Sequence, residues 1–351
     1  MPILGVIASS ILKVTATLTD FAIAHDVSPY VSVWPFSSTT GYGSKYSNPS
    51  TLPPSTGHGV DFSGNNQNIG VTGYQFASAY NWTVGTGFGS RISNTTPAIY
   101  FDSLSIAKSN AFAAMASYGS TKGVHGYAYS TSTGFGTKFS DPATLPSPNE
   151  EMYDVNVNNA STDVAYVGYS PPAILAYPMS GSGFGTKYAN PSPTQDNMGG
   201  IDFHPTDASI WCSGRNGVYA QVYAWTNGSG FGSKYANPST AVTGWALDGS
   251  FNPNGNAIGF GLQAAVSPYI EAYAWSNSTG WGTKYSAPST TPAGQVANVT
   301  FNVDGNVIAG TMNTGAYTIA YAWSGSTGFG TKFSDPATAP TGYPLYANFT
   351  R

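Results

Sequence analysis

Seven basic residues recur at one place in a repeated pentapeptide: Lys45, Arg91, Lys138, Lys187, Lys234, Lys284 and Lys332. Each closes the pattern Gly-aromatic-Gly-Ser/Thr-Lys/Arg, as in Gly41-Tyr42-Gly43-Ser44-Lys45 and Gly280-Trp281-Gly282-Thr283-Lys284. They are seven of the twelve Lys and Arg residues, so repeat symmetry makes them a ring of positive charge. One reading is a contact surface for an acidic partner or an anionic glycan, with one contact per repeat. The other is structural: each stem lies over an aromatic neighbour and each charge meets a carbonyl at a sheet edge. The lysines precede Tyr or Phe rather than Ser or Thr, so none completes a phosphate loop. The motif aromatics Tyr42, Phe88, Phe135, Phe184, Phe231, Trp281 and Phe329 likewise suit wedges between sheets or platforms for sugars.

The remaining titratable residues show no familiar catalytic pattern. Nucleophile elbows, zinc-binding His pairs and Cys/His clusters are absent. His25, His58, His125 and His204 fall at different places in the repeat, as scattered turn residues would. Asp61, Asp202 and Asp304 sit beside Asn and Gly, which reads as hairpin-turn chemistry, because their oxygen ligands do not recur as a calcium loop requires. Glu150, Glu151 and Glu271 are the only glutamates, and nothing pairs two of them at glycosidase spacing. No metal site and no cofactor are expected. Cys212 is the single cysteine, so no intrachain disulfide exists, and it reads as a buried apolar thiol.

The elements that must position these residues follow from the period. The seven pentapeptides start 46 to 50 residues apart across a chain of 351. A fixed interval of this length means one supersecondary unit used repeatedly. Each unit carries the same signals in order. A first strand such as Val299-Thr300-Phe301 leads to a Gly/Asn/Asp turn such as Asp304-Gly305-Asn306. A small apolar strand follows, Val307-Ile308-Ala309-Gly310, then an aromatic strand ending Ala320-Tyr321-Ala322-Trp323. The pentapeptide turns into a short fourth strand closed by proline, as at Pro336, which fits an edge. Four short antiparallel strands, repeated seven times, predict an all-β, seven-bladed β-propeller.

The two ends of the chain provide an independent indication of closure. Leu345 to Thr350 matches only a first strand, whereas Phe21-Ala22-Ile23-Ala24 and Tyr30 to Trp34 match only the second and third. One blade is therefore expected to join both termini, removing the open sheet edge. The domain reading is an N-terminal arm or extra strand at 1–19 and a propeller over 20–351. Residues 94–118 and 149–158 depart from the repeat, and irregular loops on a regular scaffold are where binding sits. Charge is sparse: 12 Lys and Arg against 16 Asp and Glu, 8% of residues, net −4. That balance excludes nucleic acid, which demands clustered positive charge. The N-terminus is apolar but lacks a preceding Lys or Arg, a poor signal peptide. No apolar run reaches membrane-spanning length, so no membrane insertion is expected.

The consensus Tyr-x-Ala-Tyr-x-Trp-Ser-x-x-x-Gly-Phe-Gly-Thr-Lys-Tyr-Ser-x-Pro-Ser, best seen at 271–289 and 319–337, resembles a repeat of WD-repeat-like propellers from tailed bacteriophages. The resemblance covers about 21–349, although no blade has the Trp-Asp close of true WD repeats. It implies a non-enzymatic virion protein: a capsid decoration, fibre or tail-associated propeller located in the virion. Other virion proteins would be its partners, with a host-surface glycan as a further one. A carbohydrate-binding, lectin-like propeller is the second expectation. A hydrolase or lyase with its site at the axial channel is the third, and it requires a convergent titratable cluster there.

Overall fold

The computed structural model describes residues 18–97, 99–119, 123–145, 151–193, 197–215, 217–263 and 267–351. They form seven four-stranded antiparallel sheets and no helix. Blade 1 is ordered Pro344–Phe349, Leu18–His25, Val31–Ser37, Gly41–Tyr42. Blades 2 to 7 then follow in chain order, each using four consecutive strands. The seven-bladed propeller is thus as expected, including the blade shared by both ends of the chain. Phe21 pairs with Phe349 on one side and with Trp34 on the other. Nearly all of the expected arm or extra strand at 1–19 lies outside the described residues; Leu18 and Thr19 already belong to blade 1.

The first strands form the inner ring. They are Gly57–Phe62, Tyr100–Ile106, Met152–Val157, Ile201–Phe203, Trp245–Phe251, Val296–Phe301 and Pro344–Phe349, in blades 2 to 7 and then 1. Each packs beside the next, and the ring closes from blade 7 through blade 1 to blade 2. One sheet of this kind would leave two apolar faces wet, so stacking is what buries them. Each apolar cluster accordingly spans two neighbouring blades, as Ala22 and Val33 do with Val60 and Trp82.

The pentapeptide serves this stacking. Its first glycine has positive φ in every copy, from 67° at Gly134 to 114° at Gly183, and closes the hairpin between third and fourth strands. The same glycine admits the previous blade: a Cβ on Gly328 would meet Tyr285 Cβ at 2.8 Å. The motif aromatic packs edge-on against its own third-strand ring, as Phe329 does on Trp323 at 5.2 Å. It also reaches the preceding blade, where the Tyr42 hydroxyl meets Thr318 Oγ1 at 2.7 Å.

Candidate active site at the channel mouth

A strand turns alternate side chains to one face. On the inner strands that face is the central channel, and two layers of polar residues line it. Counting back from the last residue of each strand, the nearer layer is Asp61, Ser105, Asn156, Asp202, Ser250, Thr300 and Asn348. The second layer, two residues earlier, is Gly59, Ser103, Asp154, Gly200, Asp248, Asn298 and Tyr346. Many of these side chains clasp the neighbouring blade. Asp61 Oδ2 accepts from Ile106 N at 2.7 Å, Ser105 Oγ from Val157 N at 3.1 Å and Asp202 Oδ2 from Phe251 N at 2.8 Å. Asp61 and Asp202 are therefore channel residues that bridge blades. This corrects their assignment to hairpin turns; Asp304 does sit in its turn.

Tyr346 interrupts the channel. From blade 1 it reaches Asp154 of blade 4, its hydroxyl 3.4 Å from Oδ1, and it lines the cavities on both sides. The cavity at the short-turn end holds about 440 Å³ and includes Lys108, Asp202, Asn348 and Arg351. The one at the long-loop end holds about 360 Å³. Its wall includes His58, Asp102, Tyr153 and Arg215, and its floor is Asp154, Asp248 and Tyr346.

Titratable groups converge at this loop-end mouth. His58 Nδ1 lies 3.4 Å from Asp102 Oδ1, and the Tyr100 hydroxyl lies 2.8 Å from His58 Nε2. Burial raises the Asp102 carboxyl above its ordinary range, against the pull of His58. The Arg215 guanidinium sits 5.5 Å over the Tyr153 ring, yet its buried Nε has no hydrogen-bond partner. Asp154 is 2% exposed, and burial pushes its pKa up to about 7, although it accepts from Ser103 Oγ at 2.5 Å and Ile201 N at 2.9 Å. Asp248 is likewise raised well above its ordinary range, by burial first and by the Asp154 charge second. Among the described residues no group of three or more His, Cys, Asp or Glu is placed to hold a metal ion.

The basic ring does not converge on this site. Six of its members stand at or just beyond the ends of the outer strands and Arg91 lies within one, and all bind locally. Lys45 donates to Asn48 at 2.5 Å, Lys138 pairs with Asp141 at 2.5 Å, and Lys187, Lys234 and Lys332 meet Asn190, Asn237 and Asp335. Arg91 donates to the Leu52 carbonyl, and Lys284 turns inward to the buried Glu271 at 2.5 Å. The other three histidines are likewise separate. His25 meets Ser32, His125 meets Ser117, and His204 meets the Gly255 carbonyl. Glu150 lies outside the described residues, and Glu151 accepts from the Tyr153 hydroxyl at 3.2 Å.

No protein-family model matches the chain, and no curated protein matches it. Solved structures do. A candidate 6-phosphogluconolactonase of Bacteroides uniformis superposes with a TM-score of 0.69 at 12% identity, over 95% of this chain and 99% of that one. One from Bacteroides fragilis gives 0.71 at 10% identity, over 96% and 99%. The periplasmic gluconolactonase of Pseudomonas aeruginosa gives 0.70 at 11% identity, over 95% and 99%. At such identities the likeness shows the fold alone. It nevertheless corrects the expectation of a non-enzymatic virion protein, since these end-to-end matches are lactonase-type propellers and none is a phage protein. WD-repeat kinship gains no support from them either.

Proposed function

We propose that the loop-end mouth is the active site of a hydrolase that opens a small sugar-derived lactone. The observation that carries this reading is the convergence there of the His58–Asp102 pair, Arg215 with an unpaired donor, and the buried carboxyls Asp154 and Asp248. A cyclic ester is hydrolysed when water adds to the carbonyl carbon, the ester C–O bond breaks, and the ring oxygen takes a proton. Asp102 holds the imidazole with Nδ1 protonated. Nε2 then accepts from the Tyr100 hydroxyl, so water bound at that hydroxyl loses its proton through it to His58. Arg215 receives the carboxylate that forms, which satisfies its buried Nε. Asp154, with a pKa near 7, holds a proton it can give to the departing ring oxygen. The likeness to gluconolactonase-type propellers supports the choice of lactone among possible esters.

The test is proton release from gluconolactone and its 6-phosphate, corrected for spontaneous opening, by wild type, His58→Gln and Arg215→Met. Turnover that falls about 100-fold or more in His58→Gln with the fold intact supports the reading. Rates indistinguishable from background in wild type, or equal in wild type and His58→Gln, refute it.

A further inference from the structure

The exposed large aromatics of the described residues all lie on one face. Tyr74 and Tyr169 follow second strands, Tyr118 ends one, Trp245 begins an inner strand, and Tyr343 precedes another. Every one of these positions is at the loop end of the channel. Their exposures run from 38% at Tyr343 to 53% at Tyr169. The short-turn end, with its own larger cavity, has none among the described residues.

Part of this rim is continuous with the proposed active site. Ring centroids step from Tyr74 to Tyr100 at 5.7 Å, to Tyr118 at 5.8 Å and to Tyr153 at 6.5 Å. The last pair is stacked at 23°, and Arg215 caps Tyr153. Tyr100 is also the hydroxyl on His58. The band thus starts at the reacting pair and runs outward along the mouth with ring surface left open at Tyr74 and Tyr118.

We infer that this band binds a saccharide chain: the substrate is a lactone at the end of an oligosaccharide rather than a lone sugar ring. The inference rests on the hydrolase reading for the identity of the reacting end, but not for the band itself. A sugar ring has an apolar C–H face that stacks on an aromatic ring and an equatorial rim of hydroxyls that needs hydrogen bonds. Tyrosine supplies both kinds of contact from one side chain. The adjoining wall supplies more donors and acceptors through Gln263 and Gln295. A protein partner would be matched by a contiguous apolar core, with the aromatics at its centre, inside a polar rim. Here the aromatics surround a polar hollow instead, the geometry of a small-molecule site with an extended entrance.

The experiment is calorimetric binding of gluconate and of the aldonates of a disaccharide and a tetrasaccharide, to wild type, Tyr118→Ala, Tyr118→Phe, Tyr74→Ala and His58→Gln. These ligands resemble the opened product and do not react, so binding is read without turnover. Tetrasaccharide aldonate is expected to bind about tenfold or more tighter than gluconate. Tyr118→Ala and Tyr74→Ala each should cost the longer ligands about five- to tenfold and leave gluconate unchanged, whereas Tyr118→Phe, which keeps the ring and loses only the hydroxyl, should cost less than Tyr118→Ala. Both positions are exposed, and melting temperatures within a degree or two of wild type verify the fold. Equal affinity for short and long ligands, or no response to both tyrosine substitutions, overturns the inference. If wild type opens no lactone yet the chain-length and tyrosine effects appear, the hydrolase reading fails and the saccharide band stands. If lactones are opened but length brings nothing, the reverse holds.

Discussion

Replacing Asp154 with Asn should change how stability depends on pH. The wild-type carboxyl is 2% exposed and titrates near 7 in the folded protein instead of at its ordinary 3.8, chiefly because burial disfavours its charge. Between those two values the folded protein keeps a proton that the unfolded chain has released. The unfolded state then binds fewer protons, so stability falls as pH rises through this window. The gap is about three pH units, which at 1.36 kcal/mol each is about 4 kcal/mol. That figure is for Asp154 alone; its charge also raises the neighbouring Asp248, so the two carboxyls titrate together. Asn has the shape of the neutral acid and cannot ionise, so Asp154→Asn loses this component, together with the part of the Asp248 shift that the Asp154 charge causes, and keeps those of the remaining groups. Urea unfolding of both proteins at half-unit steps from pH 4 to pH 8.5 isolates the component as the difference of two profiles. The variant should equal or trail wild type near pH 4 and gain on it steadily, by about 2–4 kcal/mol at pH 8. Parallel profiles, or a gap that widens towards acid, would refute the assignment of a protonated carboxyl to the channel.

Five further substitutions, in three tests, probe the scaffold. Gly328→Ala and Gly228→Ala both place a side chain at positive φ, 80° and 77°, but only the first would drive a Cβ into Tyr285, so urea midpoints should show about 3 kcal/mol lost against about 1. Phe349→Ala removes a ring that is 2% exposed and packs 4.8 Å from Phe21, and should cost about 3–5 kcal/mol by opening the blade that closes the ring; a loss under 1 kcal/mol would separate closure from that contact. Lys284→Met strands the buried Glu271 and should cost about 3 kcal/mol, whereas Lys332→Met, whose partner Asp335 is half exposed, should cost less than 1; equal losses would show that the pentapeptide base has one role in all blades.

The blades were legible because their signals are local and repeated. Hairpin glycines such as Gly280 and Gly328 need positive φ, and that demand is written in the same place seven times. Closure was legible because Phe349 and Phe21 belong to strand types that neither end completes alone. The site was legible only as a location. The departures from the repeat at 94–118 and 149–158 contain Tyr100, Asp102, Tyr118, Tyr153 and Asp154, all at the mouth or its rim. Their partners His58 and Arg215 come from blades 2 and 5, so no spacing along the chain announces the pairing. Asp61 and Asp202 were misassigned to turns because each stands two residues before turn-forming neighbours, where strand and turn chemistry overlap in sequence.

The basic ring and the proposed site lie apart for a physical reason. A residue repeated in every blade is constrained by what blades share, the hairpin and its edge, and Lys138 to Asp141 is such a contact. Groups that act on one ligand cannot obey the sevenfold repeat, because a small molecule at the axis meets each blade differently. The channel layers show this directly. The position occupied by Asp154 and Asp248 is Gly59 and Gly200 in two other blades, Asn298 in a third and Tyr346 in a fourth. Only that irregularity lets Tyr346 cross the axis to Asp154 and divide the channel, since seven tyrosines could not share its centre. In a propeller, then, the recurring residue specifies the scaffold. The inner-strand position whose chemistry changes from blade to blade is where the proposed site takes its ligand.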